Sequence, residues 1–263
     1  MFYKLASNIC KKANLLVGLC IIFSSFQTKS VHAIEQVSPY SQISVSTIVQ
    51  QYIQNHEDKK KTNLCQIMSQ HGSDKGNHHN YTTLYFQLFN QFKNELLNIF
   101  ELGLGTNNID VPSNMGLHGV PGASLYGWAQ YFPNAKIYGA DIDKRILFNK
   151  PRISTFYCDQ SKKESIEEMF SHDALKGLSF DIIIEDGLHE FDANVCFLKN
   201  SISHLKPGGI YIIEDLKPTT ASMFRAMIPE WKNQFRYIEV VKIPTDNPHL
   251  QYYDDNTLLI IQK

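Results

Sequence analysis

The run IIIEDGLHEF, residues 182–191, passes from three β-branched residues straight into a Glu-Asp pair, a glycine and a histidine. The ending recurs in YIIEDL, 211–216, without the histidine. A short continuous apolar run bounded by turn signals is a strand covered on both faces. Five more such runs flank these two: NIFELG (98–103), KIYGAD (136–141), ISTFYC (153–158), RYIEVVKI (236–243) and TLLIIQ (257–262), with FDIIIE (180–185) and GIYIIE (209–214) completing the set. Helical stretches separate them near 123–131, 162–171, 190–204 and 219–233, and KPGG (206–209) is expected to stop a helix before the next strand. Strands alternating with helices predict an α/β, Rossmann-like fold: a seven-stranded, mostly parallel sheet with helices on both faces. No clear helix separates the last two runs, so the C-terminal strand is expected to be antiparallel.

Before the strands the pattern is helical. SVSTIVQQYIQ (44–54) and YTTLYFQLFNQFKNELL (81–97) place apolar residues at helical spacing, and EDKKK (57–61) is a charged break. This divides the chain into a leader (1–33), a helical cap (34–95) and a core (96–263). The 263 residues are 43% hydrophobic and 12% aromatic, enough for a sizeable core. Net charge is −1, from 25 basic and 26 acidic residues, which argues against a nucleic-acid partner. No repeat or low-complexity tract is present. Cys65, Cys158 and Cys196 lack metal-ligand spacing and read as buried thiols.

Ligands of an open parallel sheet lie beyond the carboxyl ends of its strands. Acids end almost every strand here: Glu101, Asp141, Asp159, Glu185–Asp186 and Glu214–Asp215. Such crowding is costly unless cations or hydroxyl-rich ligands meet it. In ELGLGT (101–106), Gly103 and Gly105 let backbone approach a ligand, but Asn108 stands where a dinucleotide fingerprint needs its third glycine. An acid two residues before the first glycine suits a ligand with a positive amino group. Asp141 can take two ribose hydroxyls or cap the segment DKRILF. Asp159 and Gln160 are placed for an adenine edge. Asp186, Glu214 and Asp215 supply carboxylate oxygens for a hard cation such as Mg²⁺, or another divalent ion. Asp186 can also cap the following helix. His189 is the side chain suited to take a proton near neutrality. Glu185 lies opposite Asp186 by strand parity, and its part stays open.

With these residues in view, the chain resembles class I S-adenosylmethionine-dependent methyltransferases, and more narrowly the metal-dependent macrolide deoxysugar O-methyltransferases of the mycinamicin and tylosin type. The resemblance runs from about 70 to 217 through HGSDKGNHHNYTTLY (71–85), FELGLGT, PGASLYGWAQYFPNAKIYGADID (121–143), YCDQ, IIIEDGLHEF and LKPGGIYIIEDL (205–216). It implies that Glu101, Gly103, Gly105, Asp141, Asp159 and Gln160 hold S-adenosylmethionine. It also implies that Ser73, Asp74, Lys75, His79 and Tyr81 close over its methionine end, with Lys75 meeting the carboxylate; read from the residues alone, this segment is equally a capped loop leading into a helix. It further implies that Asp186, Glu214 and Asp215 bind Mg²⁺, and that Asp186 and His189 are catalytic, His189 as general base. Departures at Leu188 and Asn194 bear on substrate contacts.

The expectation is therefore a Mg-assisted O-methyltransferase acting on a small-molecule or glycan acceptor, a sugar or glycoconjugate hydroxyl. The alternatives are a non-catalytic or diverged S-adenosylmethionine- or sugar-binding protein, or a diverged enzyme of the same fold. Homo-oligomer formation is left open. Lys4, Lys11 and Lys12 before ANLLVGLCIIFSSF (13–26), followed by VHA (31–33), have the parts of a secretory signal peptide. That points to export, periplasmic or secreted, with no stable membrane span once the leader is removed. The supply of S-adenosylmethionine points instead to the cytoplasm.

Overall fold

The computed structural model describes residues 36–263, so the leader expected over 1–33 lies outside the described residues. Among those described, eight strands form one sheet: β1 (Asn98–Leu102), β2 (Lys136–Asp141), β3 (Asn149–Lys150), β4 (Ile153–Tyr157), β5 (Phe180–Glu185), β6 (Leu205–Ile213), β7 (Tyr237–Lys242) and β8 (Thr257–Gln262). Their order is β3-β4-β2-β1-β5-β6-β8-β7. The five central strands β4, β2, β1, β5 and β6 pair in parallel. β8 runs antiparallel to both β6 and β7, as expected for the C-terminal strand. The eighth strand beyond the expected seven is β3, two exposed residues antiparallel to β4. It is too short and too polar to leave a periodic signal.

The helices are α1 (Val45–Gln54), α2 (Asn63–His71), α3 (Tyr81–Phe89), α4 (Ala123–Tyr131), α5 (Lys163–Ser171), α6 (Phe191–Ser201), α7 (Pro218–Trp231) and α8 (Pro248–Tyr253). α2 begins where the Thr62 hydroxyl accepts from the Cys65 N–H, and ends at Gly72 in the left-handed region. Period-2 alternation splits the strands between two cores. Ile99, Ile137, Ile182, Ile184 and Ile212 face α1–α4, around Trp128 and Phe89. Phe100, Leu102, Ile183 and Ile213 face α5, α6 and α7, through Ile166, Phe197 and Phe224. The helices before β1 thus share one core with the sheet.

Three sequence expectations change. The single helix over 81–97 stops at Phe89, followed by a 3-10 turn over Asn90–Phe92. Leu96 is 84% exposed and Leu97 2%, the alternation of a chain entering a strand, not of a helix face. KPGG does not stop a helix; it lies inside β6. Phe180 pairs with Leu205, but Ile182 already pairs with Ile210, so the glycines take up a large irregularity. Gly208, at φ +78°, leaves room for Ser41, whose Cβ would be 2.4 Å from an added methyl. α8 is an unexpected short helix between the two antiparallel strands.

Candidate functional site

Because the five central strands are parallel, their carboxyl ends open on one side, and the acids that end them share one cleft. It has two lobes. One, about 720 Å³ of space partly open to solvent, is lined by Asp141, Asp159, Gln160 and Leu188. The other, about 800 Å³, is lined by Ser73, Lys75, Glu101, Ser124, His189 and Asp215. Gly103, Gly105, Ser113 and Asp186 line both and form the passage between them.

In the first lobe, Asp141 accepts the Leu104 N–H and the Asp143 N–H, both at 2.8 Å, so the carboxylate is fixed under the glycine turn. Burial nonetheless pushes its carboxyl above the ordinary value. Burial acts the same way on Asp159, but hydrogen bonds from Lys162 and Ser161 outweigh it and hold the group low and ionised. Gln160 is turned inward. Its amide donates to Glu185 Oε1 at 2.9 Å, and its oxygen accepts the Leu188 N–H at 2.7 Å. It braces the 186–189 turn, with one amide N–H and one oxygen lone pair still free to face the lobe it lines. Gly103 is required by close approach: at φ +90°, a Cβ would lie 1.9 Å from the Asp186 carbonyl oxygen.

The second lobe gathers the remaining acids. Glu101 accepts from Ser124 Oγ at 2.5 Å and from Trp128 Nε1. Burial, opposed by Lys75, raises its carboxyl. Lys75 is 2% exposed, and its ammonium bonds Asp186 and, at 2.6 Å, Glu214 Oε2, with Glu101 3.7 Å away. Burial acts to lower it, but these carboxylates hold it well above the ordinary ammonium value. Lys75 therefore points at the acids that end β5 and β6. Ser73 accepts the Lys75 N–H at 3.4 Å and starts the short turn that aims it. Tyr81 donates to Asp215 Oδ1 at 2.6 Å, and His79 Nε2 stands 3.7 Å from Asp215 Oδ2.

Asp186, His189 and Asp215 converge, each offering one ligand atom within 4.8 Å of the others, the metal-capable group found among the described residues. His189 Nε2 is 3.9 Å from Asp186 Oδ1 and 4.0 Å from Asp215 Oδ2, too far to bond either, so it faces the same gap. His189 and Asp215 sit at φ +59° and +55°, and Ser113 in the passage at +56°; strained backbone of this kind collects at functional sites. Glu214 is not in the group. Tyr85 donates to its Oε1 at 2.6 Å and Lys75 occupies Oε2. Burial pushes Glu214 well above the ordinary value, and Asp215 is raised by burial too. Three carboxylates, Glu101, Asp186 and Glu214, surround a single lysine and leave a deficit of positive charge, and the buried His189 Nδ1 has no partner among the described residues. Oxygen donors short of positive charge fit a hard cation.

Sequence reading missed several supports. Asp143 accepts from Thr106, Asn108 and Arg145, fastening the loop after Gly105 to the end of β2. Tyr85, Ser124 and Trp128 fix Glu214 and Glu101 from helix faces that read as plain core. Only their polar tips could have marked them. Glu185, left open by the sequence, is fully buried and bonds Gln160 and the Gly187 N–H, and it is not among the three residues of the metal-capable group.

No protein-family model matches the chain. Over 154 residues it is 34% identical to the 8-demethyl-8-alpha-L-rhamnosyl tetracenomycin-C 2'-O-methyltransferase of Streptomyces olivaceus, covering 59% of this chain and 38% of that protein. It is 31% identical over 159 residues to the mycinamicin VI 2''-O-methyltransferase of Micromonospora griseorubida, covering 60% and 37%. The matched part thus spans well under half the length of these relatives. In three dimensions, the MycE methyltransferase of the mycinamycin pathway, solved with Mg, SAH and mycinamycin VI, superposes with a TM-score of 0.58 at 22% identity, covering 78% of this chain and 55% of that one. Over about 60% of its length the chain is thus similar in sequence to these O-methyltransferases, and it shares a Rossmann-like α/β fold with the MycE methyltransferase.

Proposed function

We propose that the chain is an S-adenosylmethionine-dependent O-methyltransferase that, with Mg²⁺ or another divalent cation, methylates a hydroxyl of a sugar or glycoconjugate. The observation that carries this is the meeting of Asp186, His189 and Asp215 within 4.8 Å at the inner end of the two-lobed cleft, with Asp141 and Asp159 lining the other lobe. The relatives' names supply the acceptor class.

When bound, S-adenosylmethionine supplies an electrophilic methyl group and the divalent cation lowers the pKa of the accepting hydroxyl. Asp141 would take the ribose hydroxyls, Asp159 the adenine amino group, and Glu101, which lines the second lobe, the methionine ammonium. Asp186 and Asp215, with Glu214 beside them, would hold the cation. His189 takes the hydroxyl proton at Nε2, which requires the ring's own proton on Nδ1. The rigid turn at 186–189, braced by Gln160, keeps that nitrogen beside the two acids, and alignment of nucleophile and methyl group is the larger part of such a transfer.

Calorimetric titration of S-adenosylmethionine and Mg²⁺ into wild type, Asp186→Ala and His189→Ala tests the reading, alongside methyl transfer to a rhamnosyl or related deoxysugar glycoside. Asp186→Ala is expected to lose the metal. His189→Ala is expected to keep both ligands and lose turnover. A wild type that ignores S-adenosylmethionine sinks the proposal. One that binds it without turnover on any glycoside favours a binding protein of the same fold.

A further inference from the structure

The turn 186–189 places His189, and its peptides are held by two different parts of the chain. The strand ends hold the N–H groups. Asp186 N–H donates to the Leu102 carbonyl at 2.8 Å, Gly187 N–H to Glu185 Oε1 at 3.1 Å, and Leu188 N–H to Gln160 Oε1 at 2.7 Å. The Leu188 carbonyl is held instead by the loop between β1 and α4, where Ser113 Oγ donates to it at 3.0 Å. That carbonyl belongs to the peptide joining Leu188 to His189, and His189 sits at φ +59°. The loop is closed on itself and fastened outside: Met115 N–H donates to the Thr106 carbonyl at 2.8 Å, Asn114 Nδ2 to the Val111 carbonyl at 2.8 Å, and Asp110 pairs with Arg145 at 3.1 Å. Val111, Pro112 and Ser113 line the first lobe, and Ser113, an exposed residue, lines the second as well.

We propose that Ser113 is a positioning residue for His189: it clamps the Leu188–His189 peptide and so couples occupancy of the cleft to alignment of the base. This deepens the methyltransferase reading above and rests on its assignment of His189. Turning a peptide over changes ψ of the residue before it and φ of the residue after it. Here such a turn would carry His189 out of the left-handed region to an ordinary negative φ and swing its ring away from Asp186 and Asp215. Left-handed backbone is costly for a residue other than glycine and persists only where its surroundings impose it. Gln160 fixes the peptide before Leu188, and Ser113 fixes the one after it. The strength of the second bond depends on what fills the cleft. At an exposed position water competes for the Leu188 carbonyl. A ligand spanning both lobes lies against Ser113 and excludes that water, and a hydrogen bond strengthens as its surroundings dry. The His189 geometry is thereby favoured more in the loaded chain than in the free one, which is the differential interaction that coupling requires.

Ser113→Ala removes the donor and keeps the loop. A hydrogen bond of ordinary net worth shifts an equilibrium by about three- to tenfold. At saturating S-adenosylmethionine and glycoside, kcat should fall by about that factor, while KM for S-adenosylmethionine stays within about twofold of wild type. Asp110→Ala loosens the same loop at an exposed ion pair, a kind that contributes little, and should leave both constants within about twofold. A second readout needs no turnover. In protein carrying isotope-labelled histidine, the His189 ring resonances, assigned with His189→Gln, should shift when S-adenosylhomocysteine is added to wild type. Ser113→Ala should still bind S-adenosylhomocysteine by calorimetry, with the His189 shift reduced by at least about half. A Ser113→Ala kcat equal to that of wild type overturns the proposal. So does a loss confined to KM, which would make Ser113 only a wall of the cofactor lobe, and so does the same His189 shift in both chains. If wild type binds S-adenosylhomocysteine but turns over no glycoside, the methyltransferase reading fails and the His189 shift alone decides the clamp. A wild type that binds none of it overturns the reading and the coupling together.

Discussion

Replacing Gly103 by alanine places a Cβ 1.9 Å from the Asp186 carbonyl oxygen and 2.5 Å from its carbon, at φ +90°. Both obstacles are backbone, so neither can rotate away. The left-handed conformation costs an alanine about 1–2 kcal/mol. Separating the two segments also threatens the bond from the Gly103 N–H to Ala140 and that from the Asp186 N–H to Leu102, each 2.8 Å long. At about 1 kcal/mol apiece these bring the loss to about 3–4 kcal/mol. For a domain of this size that lowers Tm by roughly 6–16 °C. Gly105→Ala is the internal control. Its φ is +70°, but the added methyl meets the Met115 thioether at 2.4 Å, the end of a flexible side chain. The cost there should stay near the conformational part, about 1–2 kcal/mol. Thermal unfolding by circular dichroism, with S-adenosylmethionine titrated into each variant, measures the difference. Gly103→Ala should also lose cofactor binding, since the Asp186 turn that divides the two lobes is displaced. Equal losses of Tm in the two variants would refute the close-approach argument.

Two further perturbations probe the buried polar groups. Burial pushes the Glu185 carboxyl from 4.5 to about 7, against the pull of His189 and Gln160. Between those values the folded chain keeps a proton that the unfolded chain has released, so stability falls as pH rises through this window, by an amount on the order of 3 kcal/mol. Glu185→Gln retains an oxygen for Gln160 and Gly187 and removes the titration, so its stability advantage over wild type should grow from pH 5 to pH 8 in urea unfolding; a constant difference rejects the assignment. Tyr85→Phe leaves Glu214 Oε1 without its donor in a dry site, which should cost about 1–3 kcal/mol. An unchanged urea midpoint would show that water reaches Glu214.

Much of the strand layout was legible because a strand buried on both faces has to be continuously apolar: the runs at 136–141, 180–185 and 257–262 coincide with β2, β5 and β8. The parallel order followed from the alternation with helices, and the acids could be assigned to one end of the sheet before any contact was known. The strand β3 was not legible, since two exposed residues carry no period, and neither was the irregularity that draws KPGG into β6, since it depends on Ser41 and Lys263 packing there. In the site, composition and order named Asp186, His189, Glu214 and Asp215 together. Only the tertiary structure distinguished among them. A side chain's neighbours across the fold, here Tyr85 and Lys75 on one acid and Tyr81 and His79 on the next, decide which lone pairs are consumed and which still face the cleft. The sequence by itself determined which carboxylates reach the ends of the strands; long-range packing from the helices before β1 decided which of them stay open to a ligand, because hydrogen-bond capacity is spent by contact in space and not by position along the chain.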